Sequence, residues 1–323
     1  MKVALCFIIS YEHILNKEEI WREWIEPNKD IINVYFYYKD FTKIKSQWIK
    51  DHTIPPCYLF ETSYYHVIPA YLSIMQFALT ADVDNSWFCM LTDSCCPIIS
   101  PNKFRDLFYT HYNKSLMSWK PAWWNVDFHK RANLKQFSPD LRLANDPWFI
   151  LKRENVHQIL TFANKQSRIT KIICDGGLAN ESLFAIILHG YKQLGPNGGV
   201  LSQVTHLADW NRMASATSPH LFKHANDADI LFLDTELKKN QCAAFVRKIA
   251  PEFPDDVLRH YIYKVGHSNQ TIRKPIIFVY SEIIAFLRRQ VPLMLFAVAA
   301  YVMYARLYNL PAIKYTYFES KSV

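Results

Sequence analysis

Residues Trp87 to Ser100 read WFCMLTDSCCPIIS. An unbroken apolar run climbs to a single acid, Asp93, and then breaks at Cys95, Cys96 and Pro97. Such a run suits a strand buried on both faces, and in open α/β sheets the residues just past a strand's carboxyl end border the ligand crevice. Asp93 is therefore either a turn former or a site residue. Vicinal cysteines rarely hold one ion together, and no CxxC motif accompanies these two. We expect Cys95 and Cys96 to pack rather than to bind metal.

The flanking sequence supports the strand. Val3–Ser10 reads as a buried strand, and Asn16 as the cap of a helix with Glu18 and Glu19 in its first turn. Ile20, Trp21, Trp24 and Ile25 form that helix's apolar face. Ile32–Asp40 reads as a second strand and Tyr64–Leu79 as a helix, with Pro69 at a kink or at the start. Trp87–Leu91 is the third strand, and Pro101–Tyr112 a helix after Ser100. Further strands are expected at Trp148–Lys152 and Leu201–Trp210, and a helix at Glu181–Gly190. This alternation predicts an α/β fold with a mostly parallel central sheet and helices on both faces.

The bulk numbers agree with a folded globular chain: 323 residues, 50% apolar, 15% aromatic and 20% charged. A net charge of +8 suits an anionic ligand or an acidic membrane surface. The basic residues are scattered, which argues against a nucleic-acid partner. The seven cysteines are irregularly spaced and odd in number, and no signal peptide is evident, so we expect a chain facing the cytosol. All seven glycines fall at or after Gly176. A Rossmann fingerprint or a P-loop, which needs glycine where backbone meets phosphate, is thereby excluded from the first half.

The tail differs from the rest. Val291–Ala305 carries no charge and follows Arg288 and Arg289, and Leu307–Ile313 continues apolar past Arg306. The charge-free run is short against the roughly 20 residues of a span, although Arg306 could snorkel. A buried helix is one reading. The other, which we favour, is a membrane association through 291–313, single-pass or monotopic.

Several blocks together resemble the Branch domain of the core-2/I-branching β-N-acetylglucosaminyltransferase-like family, glycosyltransferase family 14. WFCMLTDSCCPIIS is similar to the family's W-F-x-L-L-S-[DE]-S-C-x-P-L run. The VALCFIIS strand with the later NVYFYYKDF, NDPWFILKREN (Asn145–Asn155) and CDGGLANESLFAIIL (Cys174–Leu188) match in the family's order. VTHLADWNRMASATSPHLF (Val204–Phe222) and CAAFVRKIAPEF (Cys242–Phe253) follow, the last resembling F-A-R-K-F. The resemblance implies a GT-A-like nucleotide-diphospho-sugar transferase fold over 1–260, with 261–323 as a C-terminal extension. It also implies inverting transfer of N-acetylglucosamine or xylose from a UDP-sugar to a glycan or glycoprotein hydroxyl. The alternatives are a non-catalytic sugar-nucleotide or glycan-binding relative, or a membrane-tethered interaction protein.

An inverting transfer needs a carboxylate base for the acceptor hydroxyl. The family's base aligns with Glu181, expected to open the helix after CDGGLAN, and Asp175 is the alternative. The TDSC turn stands where other GT-A enzymes carry DxD. One acid offers too few oxygens for Mg²⁺ or Mn²⁺, so no metal and no cofactor are expected, and Asp93 is read as a donor-binding residue. Lys248, Arg247 and Lys223 are the matching cations for the UDP. Trp210, Asp209 and Trp148 are the expected acceptor-binding residues. The chain departs from the family's pattern at Asn180, where an acid is usual, and in the glycines missing from 211–220.

Overall fold

A computed structural model describes residues 1–215 and 217–264. Strand β1 (Lys2–Ile8) buries Val3, Leu5 and Phe7 in one apolar cluster and Ala4 and Cys6 in another. A strand with no wet face must lie inside a sheet covered on both sides. Helix α1 (Glu18–Ile25) covers the first face with Trp21 and Trp24. The expected Asn16 cap does not form. Lys17 stands at the cap position at φ 61° without a side-chain cap, and both side chains are taken by partners far along the chain. Asn16 Nδ2 donates to the Ile249 carbonyl at 2.8 Å, and Lys17 Nζ donates to the Pro251 carbonyl and to Asp255, each at 2.6 Å.

Strand β2 (Ile32–Tyr37), the short helix α2 (Gln47–Asp51) and helix α3 (Ile68–Ala81) follow. Pro69 lies in the first turn of α3, where its missing N–H costs nothing. It marks the start of the helix, not a kink. Strand β3 (Asn85–Thr92) alternates like β1: Trp87, Cys89 and Leu91 face one cluster, Phe88 and Met90 the other. After the Asp93 turn, β4 (Cys96–Pro97) is short, and helix α4 (Pro101–His111) begins at Ser100, whose hydroxyl accepts from Lys103 N at 3.2 Å.

The remaining elements include strands of only two or three residues. In order these are β5 (Ser115–Leu116), β6 (Trp119–Pro121), β7 (Leu143–Asn145), β8 (Ile150–Lys152), α5 (Arg153–Lys165), α6 (Ser167–Cys174) and α7 (Leu183–Gly190). Then come β9 (Val200–Leu201), β10 (His206–Ala208), α8 (Asp227–Lys239), β11 (Phe245–Arg247) and α9 (Asp255–Lys264).

The main sheet has the order β2-β1-β3-β8-β5-β9. It is mostly parallel, with β8 running against both β3 and β5. Helices α1 and α4 cover one face, and α3, α5 and α7 the other. The expected α/β architecture is present, with two differences. The 201–210 stretch is not one strand: it divides into β9, on the main sheet, and β10, on a small sheet ordered β10-β11-β4. The strand expected from Trp148 begins only at Ile150. The small sheet brings β11 to the Asp93 turn, since β11 pairs with β4 just beyond it.

No helix among the described residues is long and apolar enough to cross a membrane. The 291–313 segment lies outside the described residues, and α9 runs through the boundary expected at residue 260.

Candidate active site

The carboxyl ends of β1, β2, β3 and β11 converge on one cavity of about 340 Å³. They bring Tyr11, Lys39, Asp93, Arg247 and Lys248 to its wall. Trp148 enters from the turn before β8, Glu181 from the segment before α7, and Trp210 from the loop after β10. Residues far apart in sequence thus share one crevice at the strand ends, the usual place for a ligand in an open α/β sheet.

Asp93 ends the apolar run of the third strand and is fixed at once. Its Oδ2 accepts from Ser10 N at 3.0 Å, and its carbonyl accepts from Asn16 N at 2.9 Å. The acid therefore ties the end of β3 to the end of β1 while facing the cavity. Cys95 and Cys96 are fully buried beside it, and burial pushes both thiols up from their ordinary range. Trp21 Nε1 donates to the Cys95 carbonyl at 3.0 Å. Among the described residues, no group of three His, Cys, Asp or Glu side chains could hold a metal ion.

The cation wall is more unusual. Arg247, the last residue of β11, is 5% exposed. Its guanidinium lies over the Trp148 ring, 3.4 Å from the centroid, and Nε and Nη1 have no hydrogen-bond partner. No salt bridge to it exists among the described residues. Burial lowers its pKa, and Cys95, Tyr71 and Asp93 only partly oppose this. Lys248 lies next to it, with Nζ donating to Ser218 Oγ at 2.7 Å. Burial first, and then the Arg247 charge, lower the Lys248 pKa. A buried cation without a counter-ion is costly.

The acid wall is the reverse. Glu181 does not open a helix: it ends a 3₁₀ turn, Ala179–Glu181, and Ser182 at φ −145° separates it from α7. Arg131 Nη1 meets Glu181 Oε2 at 3.3 Å. Burial raises the Glu181 pKa, Arg131 lowers it and Asp146 raises it again, with a net rise. A carboxyl held in this way accepts a proton more readily than an exposed one. Asn145, at the end of β7, braces the turn, donating to the Asn180 carbonyl at 2.9 Å and accepting from Ala185 N at 3.1 Å.

Asp175, the alternative base, is exposed and gives both oxygens to Lys171, at 2.9 and 2.8 Å. It does not line the cavity. Of the expected ligand-binding residues, Asp93, Trp148, Trp210, Arg247 and Lys248 line it, but Lys223 and Asp209 do not. Lys223 is exposed. Asp209 is buried and committed to its own loop, accepting from Asn211 N at 2.9 Å, Arg212 N at 3.2 Å and Arg212 Nε at 2.6 Å. Arg212 in turn reaches buried Asp229 at 2.8 Å. The effect is to shape the loop that presents Trp210, 45% exposed, at the rim.

Sequence reasoning passed over Lys39, Arg131 and Asp146. Lys39 follows the second strand and could have been found by the same strand-end argument that singled out Asp93. Its ammonium lies 4.8 Å from the Tyr11 ring centroid and donates to the Thr62 carbonyl. Arg131 carries no local signal, because its partner stands 50 residues away.

No curated protein matches the chain. The sequence model of the Core-2/I-branching enzyme family, Branch, matches residues 32–234. That span is more than half of the 323 residues and runs from the second strand to α8, taking in Lys39, Asp93, Arg131, Trp148 and Glu181. With its acid and cation walls on one crevice, the chain belongs to the Core-2/I-branching enzyme family of glycosyltransferases.

Proposed function

We propose that the chain is an inverting transferase of GT-A-like fold that moves N-acetylglucosamine or xylose from a UDP-sugar to a hydroxyl of a glycan or glycoprotein. Glu181 takes the proton from the acceptor hydroxyl. The freed oxygen attacks the anomeric carbon from the face opposite the diphosphate, and the bond from that carbon to the β-phosphate oxygen breaks. The electron pair leaves with UDP. Arg247 and Lys248 stabilise the charge that develops there, so that no metal is required. Asp93 faces the donor side, and Trp210 and Trp148 offer ring faces to sugars. Lys223 and Asp209 are not part of this reading.

The observation that carries the proposal is Arg247: a buried guanidinium with two unpartnered nitrogens, in the same cavity as a carboxyl of raised pKa. Calorimetric titration of UDP into wild type and Arg247→Met tests it, alongside turnover of UDP-N-acetylglucosamine and UDP-xylose. Equal UDP binding by both proteins would remove the donor assignment. Binding without any turnover would favour a glycan- or nucleotide-binding relative. The charge-free run Val291–Ala305 supports a membrane-attached tail. Truncation after Gln290 should release a soluble, active enzyme, and aggregation of the truncated protein would oppose that reading.

A further inference from the structure

The loop that carries Arg131 is stitched to the segment that carries Glu181. Ala132 N donates to the Gly177 carbonyl at 3.0 Å, and Asn133 Nδ2 donates to the Ile172 carbonyl at 2.7 Å. Both Ala132 and Asn133 have φ 49°, in the left-handed region that side chains disfavour. The approach is so close that a Cβ on Gly176 would stand 2.3 Å from Asn133 N and 2.6 Å from the Lys130 carbonyl oxygen. Only glycine fits there, which gives a physical reason for the first glycine of CDGGLANE. On its other side the Arg131 guanidinium lies 5.2 Å from the Trp124 ring centroid. It is therefore held between an indole and a carboxylate.

We propose that Arg131 is the positioning residue of the base: it holds the Glu181 carboxylate in place, and the close-packed 130–133 and 172–178 segments deliver it there. The proposal rests on the reading of Glu181 as the base.

The groups that face Glu181 make the need plain. Asp146, from the turn after β7, and Tyr71, from α3, are the other titratable neighbours. Asp146 is itself pushed up by burial, with Lys120 and a Ser118 hydrogen bond offsetting part of this. Burial and the Asp146 charge both favour the protonated Glu181, and a protonated carboxyl cannot take a proton from the acceptor. Arg131 alone among these neighbours opposes them. Removing it therefore shifts the titration of Glu181 to higher pH, and with it the acid limb of the rate profile.

The test uses the full chain labelled with carbon-13 at glutamate side-chain carboxyls, with the Glu181 signal assigned by its loss in Glu181→Gln. Wild type, Arg131→Met and Arg131→Lys are titrated, and UDP-N-acetylglucosamine and UDP-xylose turnover is measured across the same pH range. In Arg131→Met the Glu181 midpoint should move up. Turnover should fall by about 10-fold on the acid side and recover at alkaline pH, while UDP affinity stays as in wild type. Arg131→Lys should restore most of the wild-type midpoint. An unmoved midpoint in Arg131→Met overturns the proposal, and so does a loss of turnover that is equal at every pH. If Arg131→Met does not fold, Arg131→Lys decides through its acid limb, which should stay near that of wild type. If the midpoint moves but the rate profile ignores it, the positioning role stands and the reading of Glu181 as the base fails.

Discussion

The two walls of the cavity treat charge in opposite ways. On the β11 side, Arg247 is buried and Lys248 half-buried, neither in a salt bridge among the described residues, and they are held by a Trp148 ring and a Ser218 hydroxyl. On the α7 side, Glu181 is matched by Arg131 and pressed by Asp146. Uncompensated charge is costly in the folded state unless a ligand supplies the missing partner. Compensated charge is poised, its proton affinity set by a balance of neighbours. In the proposed transfer, that difference suits one wall to an anion and the other to a proton.

The largest expected effect breaks the acid wall. Glu181→Gln keeps the shape and removes the basicity, so transfer should fall by roughly 10²-fold or more with UDP affinity unchanged. Full transfer in this variant would end the base assignment. Next, Gly176→Ala forces apart the two segments that seat Arg131 and Glu181. A displaced base costs about 10²-fold in turnover, again without loss of UDP binding. Normal kinetics in that variant would mean that the tight approach is irrelevant to the chemistry.

The cation wall should respond in the other currency. Arg247→Met is expected to weaken UDP binding by about 1.5–3 kcal/mol, the range for a hydrogen bond to a charged group. Because it removes a buried unpaired charge, it should leave thermal stability equal or higher. A variant that loses stability and keeps UDP would invert the comparison.

A smaller effect separates the two strand-end acids. The Asp209 pKa is raised by burial, but hydrogen bonds from Arg212 and from the Asn211 and Arg212 amides outweigh this and leave it lowered. A depressed carboxyl contributes stability above its unfolded value of 3.8 and loses it as pH falls through the folded value. Asp209→Asn should cost about 1–3 kcal/mol at neutral pH and flatten the acid limb of the stability curve. Asp93→Asn should change UDP-sugar affinity instead. The smallest effect is expected from EDTA, which should leave most turnover intact; rescue by Mn²⁺ after chelation would show that cations are not sufficient on the β11 side.

The sequence by itself settled the features that depend on near neighbours. Runs such as WFCMLT are apolar on both faces, so they had to become inner strands, and Asp93 had to fall at a strand's end. The cations of VRK in an apolar run and the acid of GGLANES were also visible as residues worth following. Tertiary structure alone decided what each polar side chain does. Asn16 looked like a helix cap but serves Ile249, far along the chain. Asp209 and Asp93 each stand just past the end of a strand, yet Arg212 captures one and leaves the other at the cavity. Arg131 could not be found, because its role exists only where Gly176 lets two distant segments touch. The physical reason is one of range. Burial is set by a local pattern of apolar residues, whereas charge acts through space, on whatever partner the fold brings within a few ångströms.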